Sequence, residues 1–319
     1  PSTCPNHETR RVLAVGSGRC GSKQFSELLN RQTGVFAFHE GKFDVFIDTK
    51  DAKDGLRPPK QSLSVEPISF CVDMPWDAIA DKAMVRLHDS QVHDATLEDV
   101  EEQQSLKQRA AHRLQQLTRS VQSLQSVLVA DESPKSWNVT HKVAPAEWPL
   151  QVVMDVGFHY IPYVDAMLEL DPCLRIVVLK RKRSDTIDSF QRWFGKPSFR
   201  HFPWVDDDTR AQWRHQHAAH PQNSFDYLDH PKYDGCYPSF DWSNFDGVPS
   251  IRYGAQKWYD YVYSFLESLE SKWGSQRVRT FDTYAVLNRP ETATAALQFI
   301  FDDTTKPNAQ HWVLPGAEA

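Results

Sequence analysis

A phosphate-bearing ligand is the first chemistry the residues suggest. In RVLAVGSGRCGSKQFSELLN, residues 11–30, an apolar run meets a glycine-rich turn and then a helical pattern. A turn of this kind aims several backbone N–H groups at one spot, and the helix dipole adds positive potential there. Arg19 and Lys23 set two cations beside that nest, and Ser22 adds a hydroxyl. The spacing of Gly16 and Gly21 matches the nucleotide-triphosphatase loop G-x-x-x-x-G-K-[ST], but Ser22 and Lys23 follow in the transposed order. A triphosphatase needs that hydroxyl on Mg²⁺ and that lysine on the β- and γ-phosphates. The ligand here wants the loop without the order. A glycine turn that serves packing alone is the plainer alternative.

A second cationic segment is VVLKRKRSDTIDSFQRWF, residues 177–194. An apolar strand runs straight into Lys180, Arg181, Lys182 and Arg183, and a helix is expected from about Ser184. Four cations at the carboxyl end of a strand repel one another unless an anion or carboxylates join them, and ligands of open α/β sheets bind at that end. Ser189 follows on the helix. Asp185 and Asp188 offer the alternative of a solvated, ion-paired turn.

Together, a strand with R-C-G-S entering a helix at 19–22, and a later strand with Arg181 and then Ser189, resemble the sulfotransferases that use 3′-phosphoadenosine 5′-phosphosulfate (PAPS). The resemblance spans about residues 11–40 and 151–194, with weaker agreement at 277–301, in the pattern RTFDTYAVLNRPETATAALQFIF. It implies that Arg19, Cys20, Gly21, Ser22 and Lys23 grip the 5′ side of the nucleotide, and that Arg181 and Ser189 grip the 3′-phosphate. The product would be adenosine 3′,5′-bisphosphate. Such transfer uses no metal, so the lysine–hydroxyl order loses its purpose. Cys20 stands where the family usually has Ser; the backbone N–H does the binding there, and a reactive thiol is the alternative.

Sulfuryl transfer needs an in-line acceptor, a base for its proton and cations for the leaving phosphate. FAFHEGKFD, residues 36–44, supplies base candidates. In the tyrosylprotein branch of the family a glutamate at this offset from the loop arginine is the base, which implies Glu40, with His39 second and Arg19 assisting. An exposed polar turn is the alternative for His39 and Glu40. DVGFHYIPY, residues 155–163, departs from the Glu-Lys-Ser/Thr-Pro type of segment that many relatives place against acceptor and sulfate. Asp155, His159 and Tyr160 stand there instead, which suggests a separate branch. The spacing of Asp155 and His159 would let them share a helical face, either as a catalytic pair or as core. Trp193 opens an aromatic stretch with Trp204, Trp213, Tyr233, Tyr237 and Trp242, which either walls an acceptor pocket or forms the core of a small subdomain. Asp206, Asp207 and Asp208 would meet a cationic acceptor or simply be solvated.

The elements that must position these groups read as α/β. Apolar strands are expected at 11–15, 150–155, 174–179 and 277–281, with helices at 22–30, 162–170, from about 184, and at 291–301. Strands alternating with helices predict a central parallel sheet with helices on both faces. Between them lie a polar, proline-containing stretch to about residue 95 and an amphipathic helix over 96–130, with Thr96 and Asp99 as a capping box. That helix either packs on the body or forms a homodimer seam. The segment 195–250 is too aromatic for disorder and is expected to cover a site within one domain, 1–319.

Composition limits the rest. Of 319 residues, 40% are hydrophobic and 24% charged, the balance of a globular chain, and a net charge of −6 argues against general nucleic-acid binding. No apolar run reaches the length of a membrane span, and no signal-peptide pattern is present, although a chain starting at Pro1 leaves room for an upstream anchor. Five scattered cysteines without C-x-x-C spacing fit a reducing, cytoplasmic setting. His215, His217 and His220 lack a second cluster of ligand spacing, so no metal is expected. The resulting expectation is a PAPS-dependent sulfotransferase acting on a hydroxyl or amine of a small or medium-sized acceptor. The alternatives are a P-loop kinase or NTPase using Mg-ATP, with Asp155 ending a Walker-B-like strand, and a non-catalytic protein with a relict anion site.

Overall fold

The computed structural model describes residues 10–32, 35–40, 42–46, 60–64, 74–76, 104–119, 138–139, 151–194, 204, 211, 215, 237, 238, 240 and 250–301, with backbone alone for 42–46, 60–64 and 138–139. Strands β1 (Arg10–Val15), β6 (Val152–Val156) and β7 (Arg175–Lys180) are short apolar runs that stay buried on both faces, as a parallel sheet demands. With β2 (Val35–His39) and β8 (Val278–Asp282) they form five parallel strands in the order β2-β6-β1-β7-β8. Three further strands extend the β2 edge antiparallel: β3 (Lys42–Phe46) on β2, with β4 (Lys60–Ser64) and β5 (Asn138–Val139) on β3.

The helices that pack on the sheet are α1 (Ser22–Leu29), α2 (104–119), α3 (Val164–Leu170), α4 (Arg183–Phe194), α5 (Ile251–Trp273), α6 (Thr283–Asn288) and α7 (Pro290–Phe301). Strand alternation divides them. Leu13, Val153, Ile176 and Val178 face a core with α2, α3, α4 and α5. Val12, Met154, Val177 and Leu179 face a second core with α1, α6 and α7. The sheet is thus covered on both faces, as the alternating pattern predicted. In α2, Leu106, Ala110 and Leu117 are buried in the first core; the rest of the expected 96–130 helix, with its capping box, lies outside the described residues.

Several expectations need correction. The stretch read as polar to residue 95 contains β2, whose five residues pair with β6 from Val35↔Val152 to His39↔Val156. The 23-residue α5 was not anticipated, though Ser250 caps it by accepting from Tyr253 N at 3.4 Å. The helix expected from Pro162 begins instead at Val164, after a 3₁₀ segment over Phe158–Tyr163 that carries Pro162. Cys173 is disulfide-bonded, against the expected set of reduced thiols, and its partner lies outside the described residues. Among the described residues no helix is long and apolar enough to cross a membrane.

Candidate functional site

The site grows from the turn between β1 and α1. Gly16 ends β1 where nothing larger fits: a Cβ there would stand 2.6 Å from Leu179 O and 2.8 Å from Cys20 Sγ. The chain then passes through left-handed conformations at Gly18 (φ +73°), Arg19 (+53°) and Gly21 (+92°). Arg19 is a non-glycine residue in a region that side chains seldom enter, a strain the packing must hold. Helix α5 supplies that packing. Trp258 Nε1 donates to Ser17 O at 2.6 Å, and Tyr263 OH donates to Leu179 O at 2.6 Å. Gly21 gives α1 no side-chain cap, and backbone groups of Gly18 and Ser22 hydrogen-bond toward the Cys20 sulfur. Cys20 is buried, and burial pushes its thiol pKa up to about 11. A thiol so raised is not poised for thiolate chemistry near neutral pH.

The cation run after β7 divides into two sets. Lys180 pairs with Glu267, and Arg183 grips Asp260 through two bonds of 2.8 and 2.6 Å, both carboxylates coming from α5. Asp188 is taken by Arg252 at 2.7 Å. Arg181 instead turns to the loop, its Nη1 donating to Arg19 O at 3.3 Å, while its own carbonyl accepts from Tyr259 OH at 2.8 Å. Arg19 Nε donates to Ser189 Oγ at 3.3 Å, and its guanidinium lies 4.4 Å over the Trp193 ring. Neither Arg19 nor Arg181 is salt-bridged to a carboxylate among the described residues. Burial lowers the Arg19 pKa, Tyr237 and Glu40 oppose the shift, and Arg181 and Arg192 add to it. The two cationic segments thus meet in one cluster, with Arg19 presenting its backbone to the loop and its side chain to Ser189. Lys23 is exposed on α1 and leans toward Glu27 at 4.0 Å.

Next to the loop, β2 ends in His39 and Glu40 follows it, the two base candidates. Ser22 Oγ and His39 Nε2 are 3.0 Å apart. Glu40 has φ +52°, and its N–H donates to Val156 O at 3.0 Å. Both residues are half-buried rather than an exposed turn.

Asp155, His159 and Tyr160 lie lower, within the core. Tyr160 OH donates to Asp155 Oδ2 at 2.7 Å, His159 Nε2 stands 3.9 Å from the same oxygen, and all three are at most 2% exposed. They share no helical face, contrary to the spacing argument: Asp155 is on β6 and the 3₁₀ turn folds His159 back. Gly157 makes the fold possible, since a Cβ there would meet the His159 ring at 2.3 Å. Burial, then Arg113 and His39, holds the His159 pKa well below its ordinary value. Arg113 enters from α2 and lies 4.3 Å over the Tyr163 ring.

Of the aromatic stretch, Trp193 is half-buried beneath Arg19, while Trp204 and Tyr237 are core: 0% and 8% exposed, packed edge-on at 5.8 Å. Tyr237 also stacks on Phe158 at 5.1 Å and meets Trp258 edge-on at 5.2 Å. Trp213, Tyr233, Trp242 and Asp206 to Asp208 lie outside the described residues; His215 is exposed. Sequence reasoning missed Ser17, Trp258, Tyr259, Tyr263 and Arg192. The signal for the α5 group was the apolar spacing 255, 258, 259, 262, 263, 266 after Ser250.

No family model and no curated protein matches the sequence. Among solved structures, the chain is similar to a sulfotransferase from Alicyclobacillus acidocaldarius, at 11% identity over 99% of this chain and 87% of that one, with a TM-score of 0.37. It is also similar to sulfotransferase STF9 from Mycobacterium avium, at 11% identity over 96% and 67% of the two chains, with a TM-score of 0.36. A likeness this distant assigns no residue a role; the α/β fold stands on its own strand order.

Proposed function

We propose that the protein is a PAPS-dependent sulfotransferase acting on a hydroxyl or amine of a small or medium-sized acceptor. One observation carries the reading: Arg181 and Ser189 converge on Arg19, and the two arginines remain without a carboxylate partner among the described residues while Lys180 and Arg183 are neutralised. Two nearby guanidinium groups repel one another, as the Arg181 effect on Arg19 shows, and an anion between or beside them relieves that repulsion. A nucleotide with phosphate at both the 5′ and 3′ positions meets both segments.

In this reading the loop amides of residues 18–22, with Ser22 and Lys23, hold the 5′ side, and Arg181 with Ser189 holds the 3′-phosphate. Arg19 joins the two through its backbone and its side chain. PAPS, bound there, supplies an activated sulfuryl group. Glu40, next to the loop, takes the acceptor proton as general base. Cationic side chains and amides fixed before the reaction stabilise charge growing on the leaving phosphate. The Mg-ATP alternative loses its main support, because Asp155 is buried against Tyr160 rather than presented to the loop.

Thermal unfolding in the presence of nucleotides tests this. Adenosine 3′,5′-bisphosphate in EDTA is expected to raise Tm at concentrations where Mg-ATP does little. A rise with Mg-ATP alone would support the kinase, and no response to either would support a relict site.

A further inference from the structure

The contact between Ser22 Oγ and His39 Nε2, 3.0 Å long, ties the first residue of α1 to the last residue of β2. Neither side chain is core; both are half-buried at the rim of the loop. The contact is set by register. His39 pairs with Val156, which belongs to the core shared with α1, so the imidazole rises on the α1 face of the sheet.

A serine hydroxyl has one proton and two lone pairs. A bound oxyanion accepts hydrogen bonds and gives none, so a serine that helps hold it must direct its proton at the anion. Its oxygen is then free to accept from a second group. His39 Nε2 is within reach to be that donor, and Glu40 follows it directly in the chain. The other charged groups around the histidine fit this role. His159, from the 3₁₀ turn, is kept neutral by burial together with Arg113 and His39. Lys23, on α1, leans to Glu27. Arg19, which feels the charge of Glu40, turns its guanidinium to Ser189 and Trp193.

Building on the sulfotransferase reading, we propose that His39 is a positioning residue for Ser22 and not the base. Its Nε2–H donates to Ser22 Oγ and turns the serine proton toward the oxyanion held by the loop. Glu40 alone receives the acceptor proton.

The test is a double-mutant cycle on adenosine 3′,5′-bisphosphate affinity, measured by calorimetry. Ser22→Ala and His39→Leu should each weaken binding about tenfold, the effect of one hydrogen bond to a charged group. The double variant should be no worse than either single one, as for residues acting as a unit. His39→Gln, whose side-chain amide can still donate, should bind within about threefold of wild type. With water in the acceptor's place, PAPS consumption at saturation should fall about 10²-fold in Glu40→Gln and far less in His39→Leu. Additive losses, no rescue by Gln, or a turnover loss in His39→Leu at unchanged affinity would overturn the assignment; the last would make His39 the base. If wild type fails to bind the bisphosphate, the PAPS reading falls, while the same cycle with pyrophosphate still tests the pairing. Nitrogen-15 NMR of His39 decides independently of any ligand. The Nε2–H tautomer, perturbed by Ser22→Ala, is expected; an Nδ1–H tautomer with a bare Nε2 would refute it.

Discussion

Arg19 and Glu40 share an uncommon backbone state, with φ of +53° and +52°. Non-glycine residues pay about 1–3 kcal/mol for such conformations, and these cluster at functional sites. Both residues lie where two strands release the chain, Arg19 after β1 and Glu40 after β2, so the strain is held by the sheet beneath. His159 carries a pH signature that unfolding can read. Burial keeps its folded pKa well below 6.5, whereas an unfolded imidazole titrates near about 6.5. Below that pH the unfolded chain binds a proton that the folded chain refuses, so stability falls as pH drops, by up to about 1.4 kcal/mol per unit. Urea unfolding between about pH 7 and 5 should show this slope in wild type and a shallower one in His159→Gln. An equal slope in both would place the protonated imidazole comfortably beside Asp155 and contradict the neutral core reading. Cys20 needs no such test of reactivity, because a thiol raised to about 11 by burial stays protonated at neutral pH.

Helix α5 is the element on which the loop depends. It donates to Ser17 O, Leu179 O and Arg181 O through Trp258, Tyr263 and Tyr259, and it neutralises Lys180 and Arg183 through Glu267 and Asp260. Trp258→Phe removes the buried donor to Ser17 and should cost about 1–3 kcal/mol of stability, together with a loss of bisphosphate affinity as the loop relaxes. Denaturation and titration of that variant check both; stability lost with affinity intact would show that α5 supports the fold but not the loop. The elements differ in how far the sequence revealed them. Strands β1, β6 and β7 are continuous apolar runs beside turn or cation signals, and they were legible. Strand β2 is five residues in a polar context, and it becomes a strand by pairing with β6, which begins more than a hundred residues later. The Trp258–Ser17 bond spans 241 positions, and no local pattern announces a contact of that range. Helix α5 itself had a cap and a helical period, but it begins just past the 195–250 segment and was assigned no element in the sequence reading.

At the scale of the molecule, helices on both faces leave the carboxyl ends of β1, β2 and β7 to define the site, the edge at which open parallel sheets bind ligands. The cation types and the Arg181–Ser189 spacing were legible in the sequence. The direct contacts of Arg19 with Ser189 and Arg181 were not, since they depend on how far apart β1 and β7 end, and these strands are neighbours in the sheet. The central claim is that the cluster of Arg19, Arg181 and Ser189 reads a 3′-phosphate, and it is tested most directly by calorimetry with two adenosine nucleotides. Wild type should bind adenosine 3′,5′-bisphosphate at least about tenfold more tightly than adenosine 5′-monophosphate, and Arg181→Ala should bind the two alike. Equal affinities in wild type, or a preference that survives Arg181→Ala, would contradict it.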